Sequence, residues 1–108
     1  MTIDNDSLDL LVILKAKDIG SVAVLRELMT IHANLSLQEL GCLRFEAFES
    51  QTAAGTFIVV ERWQSQAALD AHRQAKAITS VYVPKILPLV ERELHLCSPL
   101  PTTLGLAG

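Results

Sequence analysis

Two stretches decide how this chain folds: residues 8–17, LDLLVILKAK, and residues 56–63, TFIVVERW. The first is apolar at every position from Leu10 to Leu14 and then turns basic. A run this short, carrying Val and Ile, predicts a strand buried on both faces. The second is apolar on both faces in its early part. There Phe57, Val59, Glu61 and Trp63 share one parity, and Arg62 takes the other. Between them, residues 42–50 alternate, with Leu43, Phe45 and Ala47 on one side and Arg44, Glu46 and Phe48 on the other. That pattern predicts a strand with one partly wet face. Residues 51–55 supply a hairpin turn. The last strand, residues 90–97, alternates through Glu93, Leu94, His95, Leu96 and Cys97.

The intervening segments have helical period. After the break Asp18-Ile19-Gly20-Ser21, with Ser21 as the expected N-cap, one stripe collects Val24, Leu25, Leu28, Ile31, His32 and Leu35. Gly41 is placed to terminate that helix. Ser65 caps a second helix with Ala68, Leu69 and His72 on its inner face, followed by a further helical pattern at Ile78, Val81, Tyr82, Ile86 and Leu89. Pro84 and Pro88 must kink or segment that pattern. The order β-α-β-β-α-β predicts a ferredoxin-like α+β fold. Its four-stranded antiparallel sheet has order 4-1-3-2, with both helices on one face. The two strands apolar on both faces are the two this order makes central. Residues 1–97 form the expected single domain, and residues 98–108, rich in Pro, Thr and Gly, an extension without a core of its own.

The sheet face away from the helices keeps apolar residues that nothing in one chain covers. A second copy is the economical cover, at about 800 Å² per partner, so a homodimer through that face is expected. The composition agrees: 50% of the residues are hydrophobic and 19% charged. A formal net charge of −3, with 9 basic and 12 acidic residues spread along 108, leaves no basic stripe for nucleic acid. No apolar run approaches the ~20 residues of a membrane helix. Residues 1–7 are polar and acidic, unlike a signal peptide, and the reading is a soluble cytoplasmic protein. Cys42 and Cys97 fall on opposite edge strands, ~14 Å apart, and are expected to be buried reduced thiols.

Three segments in order carry a family resemblance: Gly41-Cys42-Leu43-Arg44-Phe45-Glu46, then Phe57 through Ser65 with its Glu61-Arg62-Trp63, then Ala68-Leu69-Asp70-Ala71-His72. From about Leu8 to Cys97 the chain resembles the antibiotic biosynthesis monooxygenase family. That resemblance implies a dimeric α+β barrel and a range of activities: cofactor-free oxygenation of anthrones and quinols, heme degradation, and isomerisation of a signalling sugar. The chain departs from the polyketide-tailoring branch at Val59, where those enzymes carry Asn. It departs from the heme-degrading branch at His72, near where they carry Trp. Ala77 stands where many members have a second His.

His72 is the expected catalytic residue. With Leu69 and Ala68 at i−3 and i−4 it points beneath the sheet, where an imidazole titrating near neutrality accepts a phenolic or enolic proton. Trp63 either stacks on an aromatic substrate or anchors the core. Glu61 either orients His72 or closes a strand-end ion pair. His32 faces the same cavity or is a satisfied core histidine; Phe45 and Tyr82 line a pocket or fill the core, and His95 is structural. The His and Cys residues lack metal-ligand spacing, and no glycine-rich phosphate loop is present, so neither metal nor cofactor is expected. The leading expectation is a cofactor-independent monooxygenase of a quinol- or anthrone-like small molecule. The alternatives are a non-catalytic small-molecule-binding or stress-related dimer and a small-carbonyl isomerase.

Overall fold

A computed structural model describes residues 7–101. Its elements run β1 (Leu8–Ala16), α1 (Val22–Leu37), β2 (Cys42–Glu49), β3 (Thr56–Trp63), α2 (Gln66–Gln74), α3 (Ala77–Ile86) and β4 (Val90–Cys97). Single 3-10 turns precede α1 at Ile19–Ser21 and follow α3 at Leu87–Leu89. The four strands form one antiparallel sheet in the order β2-β3-β1-β4, the expected order read from its other edge. Three helices lie on one face, so the fold is the ferredoxin-like α+β arrangement. Among the described residues no helix is long and apolar enough to cross a membrane.

Strand parity decides what the helices cover. Val12 pairs with Val59 and Leu94, Leu14 with Phe57 and Arg92, and Leu10 with Glu61 and Leu96. Paired residues share a face, and this set faces the helices. Leu10, Val12, Leu14, Phe57, Val59 and Trp63 are buried there against Leu25, Met29, Leu69 and Ile86. The opposite parity places Leu11, Ile13, Ile58 and Val60, all half-buried, and Phe48, 49% exposed, on the open face. Ion pairs flank this apolar strip: Asp9–Arg62 at 2.7 Å and Arg44–Glu46 at 2.6 Å.

The helices depart from expectation in three places. Asp18, not Ser21, caps the first turn through Gly20. The buried stripe of α1 is Leu25, Met29, His32 and Ser36, while Val24 and Ile31 are exposed. The helix is rotated so that polar Ser36 goes inward, its hydroxyl satisfied by the His32 carbonyl at 2.8 Å. Apolar periodicity alone does not register such a self-satisfied serine. The third departure is α3, which is wound as a wide π-helix running through Pro84, with Pro88 opening the turn after it. Both cysteines are free and on opposite edges, but only Cys42 is partly covered and Cys97 is exposed. An edge strand with nothing over its last residues does not bury them.

One glycine ties α1 to the sheet. Gly41 has φ +84°, and a Cβ there would stand 2.6 Å from that of Ala68 on α2. Its carbonyl accepts from Gln64 N–H at 2.8 Å. The chain therefore leaves α1 through a tight turn pressed against the start of α2, which brings Glu39 over the end of that helix.

Candidate active site

The side chains beneath the sheet are built up from α2. Ser65 caps it, accepting from Ala68 N–H at 3.1 Å, and the helical period then turns Leu69 and His72 inward together. His72 is 4% exposed, its ring 4.3 Å from that of Trp63. Its Nδ1 lies 2.7 Å from Oε1 of Glu39, a carboxyl itself 17% exposed. Glu39 comes from the turn after α1 and was not among the residues expected from sequence; only the positive-φ turn at Gly41 brings it here. Among the described residues Nε2 of His72 has no hydrogen-bond partner.

The contact has ion-pair geometry, yet the surroundings oppose both charges. Burial pushes the Glu39 carboxyl up to about 7. Burial first, and then the positive charge of Arg73, push His72 down to about 4. The favoured state is a neutral pair sharing one proton. Below about pH 7 the Glu39 carboxyl donates to Nδ1, so the imidazole's own proton sits on Nε2. Above it the carboxylate accepts from Nδ1–H and leaves an Nε2 lone pair free to take a proton.

His32, 2% exposed, stacks on Tyr82 at 4.9 Å and meets the edge of Phe45 at 5.1 Å. Its Nδ1–H donates to the Ala77 carbonyl at 3.1 Å, and burial holds its pKa down to about 4. It is thus a satisfied core histidine and a wall of the cavity at once. Glu61 points under the helices together with Val59 and Trp63, but its carboxylate accepts from Trp63 Nε1–H at 2.9 Å rather than touching His72. Burial raises its pKa, and that indole bond opposes the rise. Trp63 is fully buried beneath His72 and Phe45 lies behind the two histidines.

The half-open cavity so lined has a volume of ≈ 250 Å³. Leu10, Val12, Leu69 and Ile78 make its apolar walls, and His32, His72, Glu61 and Tyr82 line it beside them. Of the expected residues, four therefore line it, while Trp63 and Phe45 support it from behind. Arg73, Arg92 and Leu94 at its rim were not expected. Among the described residues no three His, Cys, Asp or Glu side chains gather as a metal site.

The sequence model of the antibiotic biosynthesis monooxygenase family matches residues 20–81, which contain His32, Glu39, Glu61, Trp63 and His72. The chain belongs to that family. Solved structures share its fold. A conserved protein of unknown function and possible oxidoreductase from Bacteroides thetaiotaomicron is 28% identical with a TM-score of 0.78 over 86% of this chain and 97% of that one. An antibiotic biosynthesis monooxygenase is 25% identical, TM-score 0.79, over 87% and 99%. SnoaB of Streptomyces nogalater, a cofactor-independent oxygenase, is 11% identical, TM-score 0.77, over 91% and 97%. No curated protein matches the chain significantly.

The buried histidines make stability pH-dependent. Unfolded, His32 takes up a proton below about pH 6.5; folded, it does so only near 4. The stability it contributes is complete above 6.5 and is lost as pH falls toward 4. His72 acts in the same sense, but Glu39 and Glu61, protonated more readily in the fold, oppose the two histidines. Unfolding free energies of the wild type and of a His32 variant, from urea titrations, should therefore diverge between pH 6.5 and 4.5, by up to about 1.4 kcal/mol per pH unit. His32→Asn, whose amide can replace the Nδ1–H bond, is the variant to compare. A difference that stays constant with pH would show that His32 is not a source of the pH dependence.

Proposed function

We propose that this chain is a cofactor-independent monooxygenase of a small phenolic or quinol-like substrate held in the cavity, with His72 as its base. The observation that carries this reading is the buried Glu39–His72 contact at the edge of a mostly apolar cavity. Nε2 accepts the substrate's proton, and the electron-rich anion left behind passes an electron to dioxygen. The two radicals combine to a peroxide, which takes a proton and loses water. One oxygen atom ends as a carbonyl and the other in that water. The anion is itself the reductant, so no metal or flavin is required. Family membership and the likeness to an antibiotic biosynthesis monooxygenase favour this class of reaction. An isomerase would use the same base without consuming oxygen.

We further propose that the chain works as a homodimer, a second copy covering the apolar strip of Leu11, Ile13, Ile58 and Val60. Light scattering at micromolar concentration should give a dimer. Ile58→Asp should dissociate or unfold it, since an unpaired buried charge costs several kcal/mol. A wild-type monomer under these conditions would contradict the assembly.

Oxygen uptake against hydroquinones, naphthols and anthrones tests the activity. His72→Ala should lower turnover by about 10²–10⁴-fold while preserving the fold. The rate should fall as pH drops below about 7, because protonated Glu39 moves the imidazole proton onto Nε2. Glu39→Gln should abolish that inflection. Full activity in His72→Ala, or a flat wild-type profile from pH 5 to 8, would remove the histidine from the mechanism. Turnover of a carbonyl compound without oxygen uptake would favour the isomerase.

A further inference from the structure

The reading above leaves the opposite corner of the cavity without a role. On β4, alternation sends Glu91 and Glu93 to the open face of the sheet and Arg92 and Leu94 to the helix face, beside Leu14 and Val12. Arg92 lines the cavity, its guanidinium carbon 5.9 Å from the centre of the Tyr82 ring. The chain has five arginines. Arg26, Arg44, Arg62 and Arg73 each meet a carboxylate, at 2.7, 2.6, 2.7 and 3.5 Å. Among the described residues Arg92 meets none. Its planar fork of donors matches a carboxylate better than any other side chain does.

The cavity's own carboxylate does not answer it. Glu61 lies beside Leu10, whereas Arg92 lies beside Leu14 on the other side of β1. Four residues along and two strands across set their Cα atoms about 16 Å apart, and Glu61 is already engaged by the Trp63 indole. From His72 the rings step to His32 at 6.1 Å and to Tyr82 at 4.9 Å, and Arg92 lies 5.9 Å beyond. One corner thus offers a proton acceptor, the other a fixed positive charge, and an apolar wall lies between. The volume, ≈ 250 Å³, exceeds the ~150 Å³ of a cavity that holds benzene. It falls short of the ~300 Å³ where sites for drug-sized ligands begin.

We infer that the cavity selects an anionic aromatic of one or two rings, its carboxylate held by Arg92 and its hydroxyl presented to His72. This rests on the reading that a small phenolic molecule occupies the cavity, but it does not require that the molecule be oxidised. Arg92 is then the residue that sets substrate charge.

The test is calorimetric binding at pH 8 of 6-hydroxy-2-naphthoate and of its primary amide, a neutral ligand of nearly the same shape. Wild-type protein should bind the acid at least about tenfold more tightly, the scale of a charge-assisted bond. Arg92→Gln, at an exposed edge position, should reduce the acid to the amide's affinity and leave the amide unchanged. Arg92→Lys should recover part of the difference. Equal affinities in the wild type, equal weakening of both ligands by Arg92→Gln, or no binding of either at millimolar concentration would overturn the inference. A carboxylate preference without oxygen uptake upholds it and defeats the monooxygenase reading. Oxygen uptake on neutral quinols with no preference for the acid does the reverse.

Discussion

A carboxyl and an imidazole held 2.7 Å apart out of water can share one proton cheaply, but can keep two separated charges only at a cost. The site depends on that constraint. Burial, with the charge of Arg73, keeps His72 neutral well below the pH at which a free histidine protonates, and the contact lets Glu39 decide which ring nitrogen carries the proton. Neighbouring residues serve it. Trp63 lies against the imidazole and is itself fixed by Glu61, and the tight turn at Gly41 sets Glu39 over the end of α2. The sheet contributes a rigid floor, because β1 and β3 are its centre and their helix-facing residues are almost fully buried.

The fold was legible because burial on both faces leaves a plain mark. Leu10 to Leu14 and Phe57 to Val60 admit central strands and little else, and the crossover rules then order the sheet. Strand parity also put Glu61 and Trp63 on one face, and helical spacing turned His72 inward. The contacts among these residues were not legible. Glu39 is 33 residues from His72 in sequence and sits in a turn, where no period predicts direction. Arg92 reads as one more surface arginine on an alternating edge strand until the ion pairs of the other four are known. The inward turn of Ser36 on α1 is satisfied by a local hydrogen bond, which apolar patterning does not record.

Family membership narrows the chemistry without choosing it, since one frame serves several reactions. Val59 and Ala77 are apolar or small where relatives place Asn and a second His, and the acid–base work is proposed to rest on a glutamate from the α1–β2 turn. The second buried histidine, His32, donates to a backbone carbonyl and stacks on Tyr82. It shapes the cavity wall, and proton transfer is proposed for the pair beside it.

The state of His72 itself is the most direct test of this account. Nitrogen-15 spectra of the ring, recorded across a pH titration, identify which nitrogen bears the proton. The account predicts a neutral ring throughout the range from pH 5 to 8, protonated at Nε2 below about pH 7 and at Nδ1 above it. That switch should be lost in Glu39→Gln. An imidazolium persisting to neutral pH, or a ring titrating near the unperturbed value of about 6.5, would contradict it.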